Sequence, residues 1–138
     1  MKKVFAVLLI LTVGLGITSC SSDDDSDRPN YSVVGKWNIT SYTIDGQERE
    51  DCAMNGVRQF KTDGSYLQDE YEENADTGVC EEIEDSPLIG TYTKSGDDIQ
   101  ITVGGLTKDF DIEFISETVF TLTESYNDID FVYTFTKI

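Results

Sequence analysis

Asp109-Phe110-Asp111-Ile112-Glu113-Phe114 places an aromatic or aliphatic side chain at every second position and a carboxylate between each. A period of two puts all three apolar groups on one face of an extended chain and all three acids on the other, the signature of a half-buried β-strand. The same alternation runs outward from this segment. Ile99, Ile101 and Val103 precede it, Phe120 and Leu122 follow it, and Phe131, Tyr133 and Phe135 end the chain. Strands are expected at 36–44, 57–61, 65–71, 88–94, 98–103, 106–115, 118–124 and 130–137. Asp45-Gly46, Asp63-Gly64, Ser95-Gly96-Asp97, Gly104-Gly105, Ser116-Glu117 and Asn127-Asp128 separate them and suit tight hairpins.

Sequential neighbours should therefore pair antiparallel all the way round. Eight strands with one face to bury either close into an up-and-down barrel, which removes unpaired edges, or split into a sandwich, and hairpin-length connections favour the barrel. The fold class read here is all-β, an eight-stranded antiparallel up-and-down barrel. A short turn before Lys36 is the most helix expected. Fifteen residues are assigned inward: Trp37, Ile39, Phe60, Tyr92, Ile99, Ile101, Val103, Phe110, Ile112, Phe114, Phe120, Leu122, Phe131, Tyr133 and Phe135. None is glycine, alanine or serine, so the lower barrel should be solid, with any pocket a shallow one at the mouth near Tyr66, Tyr71 and Tyr126.

The N-terminus carries a different message. Lys2 and Lys3 precede an uncharged apolar run from Val4 to Ile17, the layout of a secretory signal and shorter than the roughly 20 apolar residues of a membrane span. Ile17-Thr18-Ser19-Cys20 resembles the bacterial lipobox, which implies cleavage before Cys20 and acylation of that cysteine. Residues 1–19 are then signal peptide, 20–30 a lipidated acidic tether, and 31–138 the folded domain. The tether, Ser21 to Asn30, has no apolar residue to bury. Its Ser-Asp-Asp run is similar to the surface-export signal of Bacteroidota lipoproteins, which implies the outer membrane and display at the cell surface; a plain solvated spacer is the alternative.

The chain has ten lysines and arginines and twenty-seven aspartates and glutamates. Two lysines leave with the signal, so eight cations face twenty-seven acids, a mature charge of −19. Such a surface repels phosphate backbones, which excludes nucleic acid as a partner. With Cys20 assigned to lipid, Cys52 and Cys80 remain as an even pair in an oxidising compartment, and a disulfide between them is the favoured reading. A zinc site is the alternative, but the chain has no histidine and offers only these two thiols.

The absence of histidine also removes Ser-His-Asp and Cys-His machinery. Paired carboxylates of the glycosidase kind remain open by residue type, against the plainer reading of a solvated acidic face. Asp69 to Asp85 holds nine carboxylates that could attract a hard cation such as calcium, but no EF-hand spacing is present and a solvated anionic loop is the preferred reading. No cofactor is expected beyond that weak calcium binding.

Val34-Gly35-Lys36-Trp37-Asn38-Ile39-Thr40, Phe60-Lys61-Thr62-Asp63-Gly64-Ser65-Tyr66, Gly90-Thr91-Tyr92 and Tyr133-Thr134-Phe135-Thr136-Lys137 resemble the lipocalin-like lipoproteins of Bacteroidota, over the whole chain from about Val34. Gly35-x-Trp37 is similar to the opening signature of lipocalins at large. That resemblance implies a tryptophan packed across one barrel end near a basic residue of the last strand, a role open to Lys137. It also implies a membrane-anchored binding protein without enzymatic activity, either a carrier of a small apolar ligand or a scaffold whose loops bind a protein partner.

Overall fold

The computed structural model describes residues 29–138; the signal peptide, Cys20 and nearly all of the tether lie outside the described residues. Eleven strands follow one another: β1 Gly35–Ile44, β2 Gln47–Glu48, β3 Val57–Phe60, β4 Ser65–Gln68, β5 Tyr71–Glu73, β6 Cys80–Glu82, β7 Leu88–Ser95, β8 Asp98–Val103, β9 Leu106–Ser116, β10 Val119–Tyr126 and β11 Ile129–Lys137. Eight of them form a closed antiparallel barrel in the order β1-β3-β4-β7-β8-β9-β10-β11, and β11 pairs back with β1 from Trp37↔Lys137 to Ile44↔Phe131. Closure leaves no long unpaired edge, and the hairpins supply the turns it needs. Asn127 and Asp128, for example, both adopt left-handed backbone, the requirement of a two-residue turn whose twist matches the flanking strands.

Two departures from simple alternation shape the interior. A β-bulge between Ile39 and Ser41 inserts one residue into β1, so that Tyr42 turns inward after Ile39 and stacks on Tyr133 with ring centroids 4.6 Å apart. On β7, Gly90 shares the inward side of Tyr92, and a side chain there would collide with the Thr102 carbonyl of β8. Glycine is what lets these two strands approach.

Among the described residues before Lys36, 29–34 are irregular and hold no helical turn; the one short 3-10 turn described spans Cys52–Met54, capped by the Asp51 side chain accepting from the Ala53 amide. The strand expected at 65–71 also divides. β4 ends at Gln68, and a separate two-stranded arm, β5 with β6, stands beyond it, because Asn74 organises a tight turn by accepting from the amides of Asp76 and Thr77. The Cys52–Cys80 disulfide, with Cα atoms 5.4 Å apart, pins that arm to the 3-10 turn.

Cross-linking residues 28 apart removes loop-closure entropy from the unfolded chain, about 3–4 kcal/mol on the chain-entropy account. The double change Cys52→Ser and Cys80→Ser is therefore expected to lower unfolding stability by about that amount, read from urea midpoints at constant slope. A loss below about 1 kcal/mol would show that the unfolded chain already holds these two segments together without the bond.

Candidate functional site

The barrel has two unlike ends. At the closed end the N-terminal segment folds over the lumen: Val33 is buried, and its carbonyl accepts a 2.7 Å hydrogen bond from Trp37 Nε1. The Lys137 Nζ lies 5.4 Å from the Trp37 ring centroid, within cation–π range. Above this plug, Trp37, Phe60, Phe120, Ile99 and Leu122 are almost wholly buried and, with Ile112 and Phe135, fill the lower lumen. Phe110, Phe114, Tyr92, Val103 and Tyr133 pack against this cluster half-buried, whereas Phe131, also assigned inward, lies outside it near the opposite rim.

A charged residue enters the upper lumen. Arg58 alternates with Phe60 on β3 and is only 3% exposed. Its Nη1 donates to the Asp69 carbonyl at 2.5 Å and, more weakly, to that of Asn55 at 3.5 Å, while Nη2 donates to the Ala53 carbonyl at 2.7 Å. Burial pulls its pKa down, opposed by Tyr66, Asp69 and Glu70 nearby. The guanidinium thus ties the 3-10 turn and the root of the arm to the barrel wall.

Next to it, β4, β7, β8 and β9 bound a half-open cleft of about 410 Å³ at the mouth. Tyr66, Leu88, Ile101, Val103, Leu106 and Phe110 supply most of its wall, and Gln68, Glu70 and Lys108 supply its polar points. A pocket of this size with a largely apolar wall and few polar groups has the composition of a small-molecule site. Larger hollows of about 920 Å³ beside Pro29–Tyr31 and about 810 Å³ beneath the disulfide have walls rich in carboxylates.

The three tyrosines expected around the mouth do not gather there. Tyr66 is 3% exposed and forms part of the cleft floor, its hydroxyl donating to Gln68 Oε1 at 3.1 Å. Tyr71 belongs to the arm and lies by Gly56 and the disulfide, and Tyr126 stands 67% exposed opposite Ile129 at the tip of a hairpin. The inward parity of β4 buries Tyr66, and the break after Gln68 carries Tyr71 away from the lumen. Arg58, Gln68 and Lys108 were not anticipated as interior or mouth residues. The alternation of Arg58 with Phe60 and of Lys108 with Phe110 was the available signal.

Desolvation pushes the Tyr66 phenol up to about 12, and burial, with Tyr42 adding, also raises Tyr133. In an unfolded chain both would ionise near 10. The unfolded state then releases protons that the folded state still holds, so stability is fully present below pH 10 and falls as pH rises toward 12. Tyr66→Phe is expected to flatten part of that decline in a series of urea midpoints from pH 9 to about 12. An unchanged slope would remove Tyr66 as its source.

Charge divides the same way as shape. The closed end carries Lys36, Lys61, Lys94 and Lys137 against Asp63, Asp97, Asp98 and Glu117, a side-chain balance of zero. The segments at the open end, 45–56, 69–87 and 126–130, hold one arginine against fifteen carboxylates, a balance of −14. The nine acids of Asp69 to Asp85 do not converge: Glu72 and Glu81 face each other across the arm while Glu73 and Glu82 alternate away, and among the described residues no three acidic or thiol side chains are placed to hold a metal ion.

A closed eight-stranded antiparallel barrel, plugged at one end by a tryptophan and open to a small apolar cleft at the other, defines a lipocalin-like binding protein. The family model described as a lipocalin-like domain matches residues 33–135, and the chain belongs to that family. Comparison with curated proteins and with solved structures gave no match.

Proposed function

We propose that the protein is a lipid-anchored, non-enzymatic binding protein of the outer membrane whose barrel mouth takes a small, largely apolar ligand. The observation that carries this reading is the cleft at the open end, set above a lumen otherwise filled with side chains. Glu70 is the single carboxylate on its wall, so it lacks the facing pair of acids that glycoside hydrolysis requires, and no histidine is available as a base. A compact ligand or a single alkyl chain fits the volume of about 410 Å³.

The lipid anchor rests on the lipobox-like Ile17-Thr18-Ser19-Cys20. Residue 29 leaves the barrel at its closed end, so an anchor attached there through Cys20 directs the mouth away from the lipid. Intact mass of the membrane-extracted protein should show an acylated chain beginning at Cys20, and Cys20→Ala should release it to the soluble fraction. Retention of that variant on the membrane would refute the anchor.

Ligand binding is tested by calorimetry on the mature chain carrying Cys20→Ala, which removes lipid and keeps every described residue. Trp37 is an unsuitable reporter because it sits at the far end of the lumen. Saturable binding of compact apolar compounds, weakened by Leu106→Arg on the exposed rim, is expected. A protein that binds none of them, or binds equally with the rim altered, is not a carrier. The pinned acidic arm, with Val79 57% exposed toward its tip, then becomes the surface for a basic protein partner.

A further inference from the structure

We infer that the mouth cleft selects a cationic amphiphile, an apolar body with one ammonium-type head, over the matching carboxylate. This rests on the reading of the cleft as a ligand site and names the chemical class that the site would take.

The apolar wall formed by Tyr66, Leu88, Ile101, Val103 and Phe110 accepts an uncharged body of either ligand. The head decides. Glu70 is half-buried on the cleft wall, and among the described residues its carboxylate has no hydrogen-bonded partner, while its amide is held by Ser86 Oγ at 3.2 Å. A carboxylate partly withdrawn from water beside apolar groups gains most from an incoming cation.

The two cations nearby are already engaged. Lys108 Nζ is paired with Glu124 at 2.8 Å, so an anionic head would have to displace a carboxylate to reach it. Arg58 does not line the cleft; its guanidinium donates to three backbone carbonyls and lies near enough to Glu70 to offset part of that carboxylate's charge, so the acids of the rim supply the rest of the preference. Around the rim the open-end segments carry fifteen carboxylates against one arginine. That field draws cations toward the mouth and repels anions, and it weakens once the Debye length falls to about 8 Å at physiological salt.

The experiment is calorimetry on the mature Cys20→Ala chain with dodecyltrimethylammonium, dodecanoate and uncharged dodecanol, each below its aggregation limit. The ammonium compound should bind about tenfold or more tightly than dodecanoate at low salt, with the gap narrowing at 0.15 M. Glu70→Gln should weaken the ammonium compound severalfold and leave dodecanol unchanged. Leu106→Gln, which removes apolar wall without adding charge, should weaken all three, and Glu117→Gln at the closed end should weaken none.

Dodecanoate binding as tightly as the ammonium compound, with both lost on Leu106→Gln, overturns the charge preference and keeps the cleft as a site. Ammonium binding that ignores both Glu70→Gln and Leu106→Gln is adsorption to the acidic surface and also overturns it. Absence of binding by all three compounds removes the cleft reading itself.

Discussion

Phe120→Ala is expected to destabilise the barrel by about 3–5 kcal/mol, the range found when a large buried aromatic is truncated. Phe120 is fully buried, and its ring meets four others: Trp37 at 4.6 Å edge-on, Phe135 at 4.8 Å stacked, Phe114 at 5.4 Å and Phe60 at 6.2 Å. These partners come from β1, β3, β9 and β11, so a cavity at Phe120 touches strands from both halves of the chain. The surrounding strands are hydrogen-bonded into a closed ring and cannot collapse inward far enough to refill the space. Phe120→Leu keeps much of the volume and should cost less than half as much. Urea unfolding monitored by far-ultraviolet dichroism measures both. A loss below about 1.5 kcal/mol for Phe120→Ala would mean that the lower lumen repacks freely and is not the solid plug described above.

How much of this was readable in the sequence depends on which residues face the lumen. The barrel strands of the second half were legible to within two residues because Phe110, Ile112 and Phe114 alternate with acids without interruption. β1 was legible as a strand but not in its upper half, since the bulge at Thr40–Ser41 reverses the parity and turns Tyr42 inward. The arm was hidden by composition: carboxylates at Glu72, Glu73, Glu81 and Glu82 read as solvated loop, while its hairpin is fixed by the Asn74 side chain and the disulfide. The mouth was the least legible region. Its wall combines residues from four strands, and Gly90 lets β7 approach β8 beside Val103 of that wall only because it has no side chain. A period-two reading that expects every inward position to be apolar also passes over Arg58 and Lys108.

Arg58→Met is expected to cost about 3–5 kcal/mol, comparable to truncating the central aromatic although no large cavity is made. Methionine is apolar and flexible enough to occupy much of the same path. It cannot donate, so the carbonyls of Ala53 and Asp69 lose their 2.7 Å and 2.5 Å partners at part-buried positions. Leaving such an acceptor unsatisfied costs up to about 1–3 kcal/mol each, and the loss of a buried cation also removes the compensating charge near Asp69 and Glu70. Arg58→Lys keeps the charge but offers one compact head in place of a fork, so it should recover only part of the loss. A second measurement separates this role from general core damage. Amide exchange should accelerate first at Asp69, whose N–H donates to the Val57 carbonyl, and at Asn55, whose N–H donates to the Cys52 carbonyl, while Trp37 and Phe120 at the closed end stay protected. Uniform acceleration along the barrel, or a loss below about 1 kcal/mol, would show that the guanidinium does not fasten the arm and the 3-10 turn to the wall, and that the disulfide alone holds them.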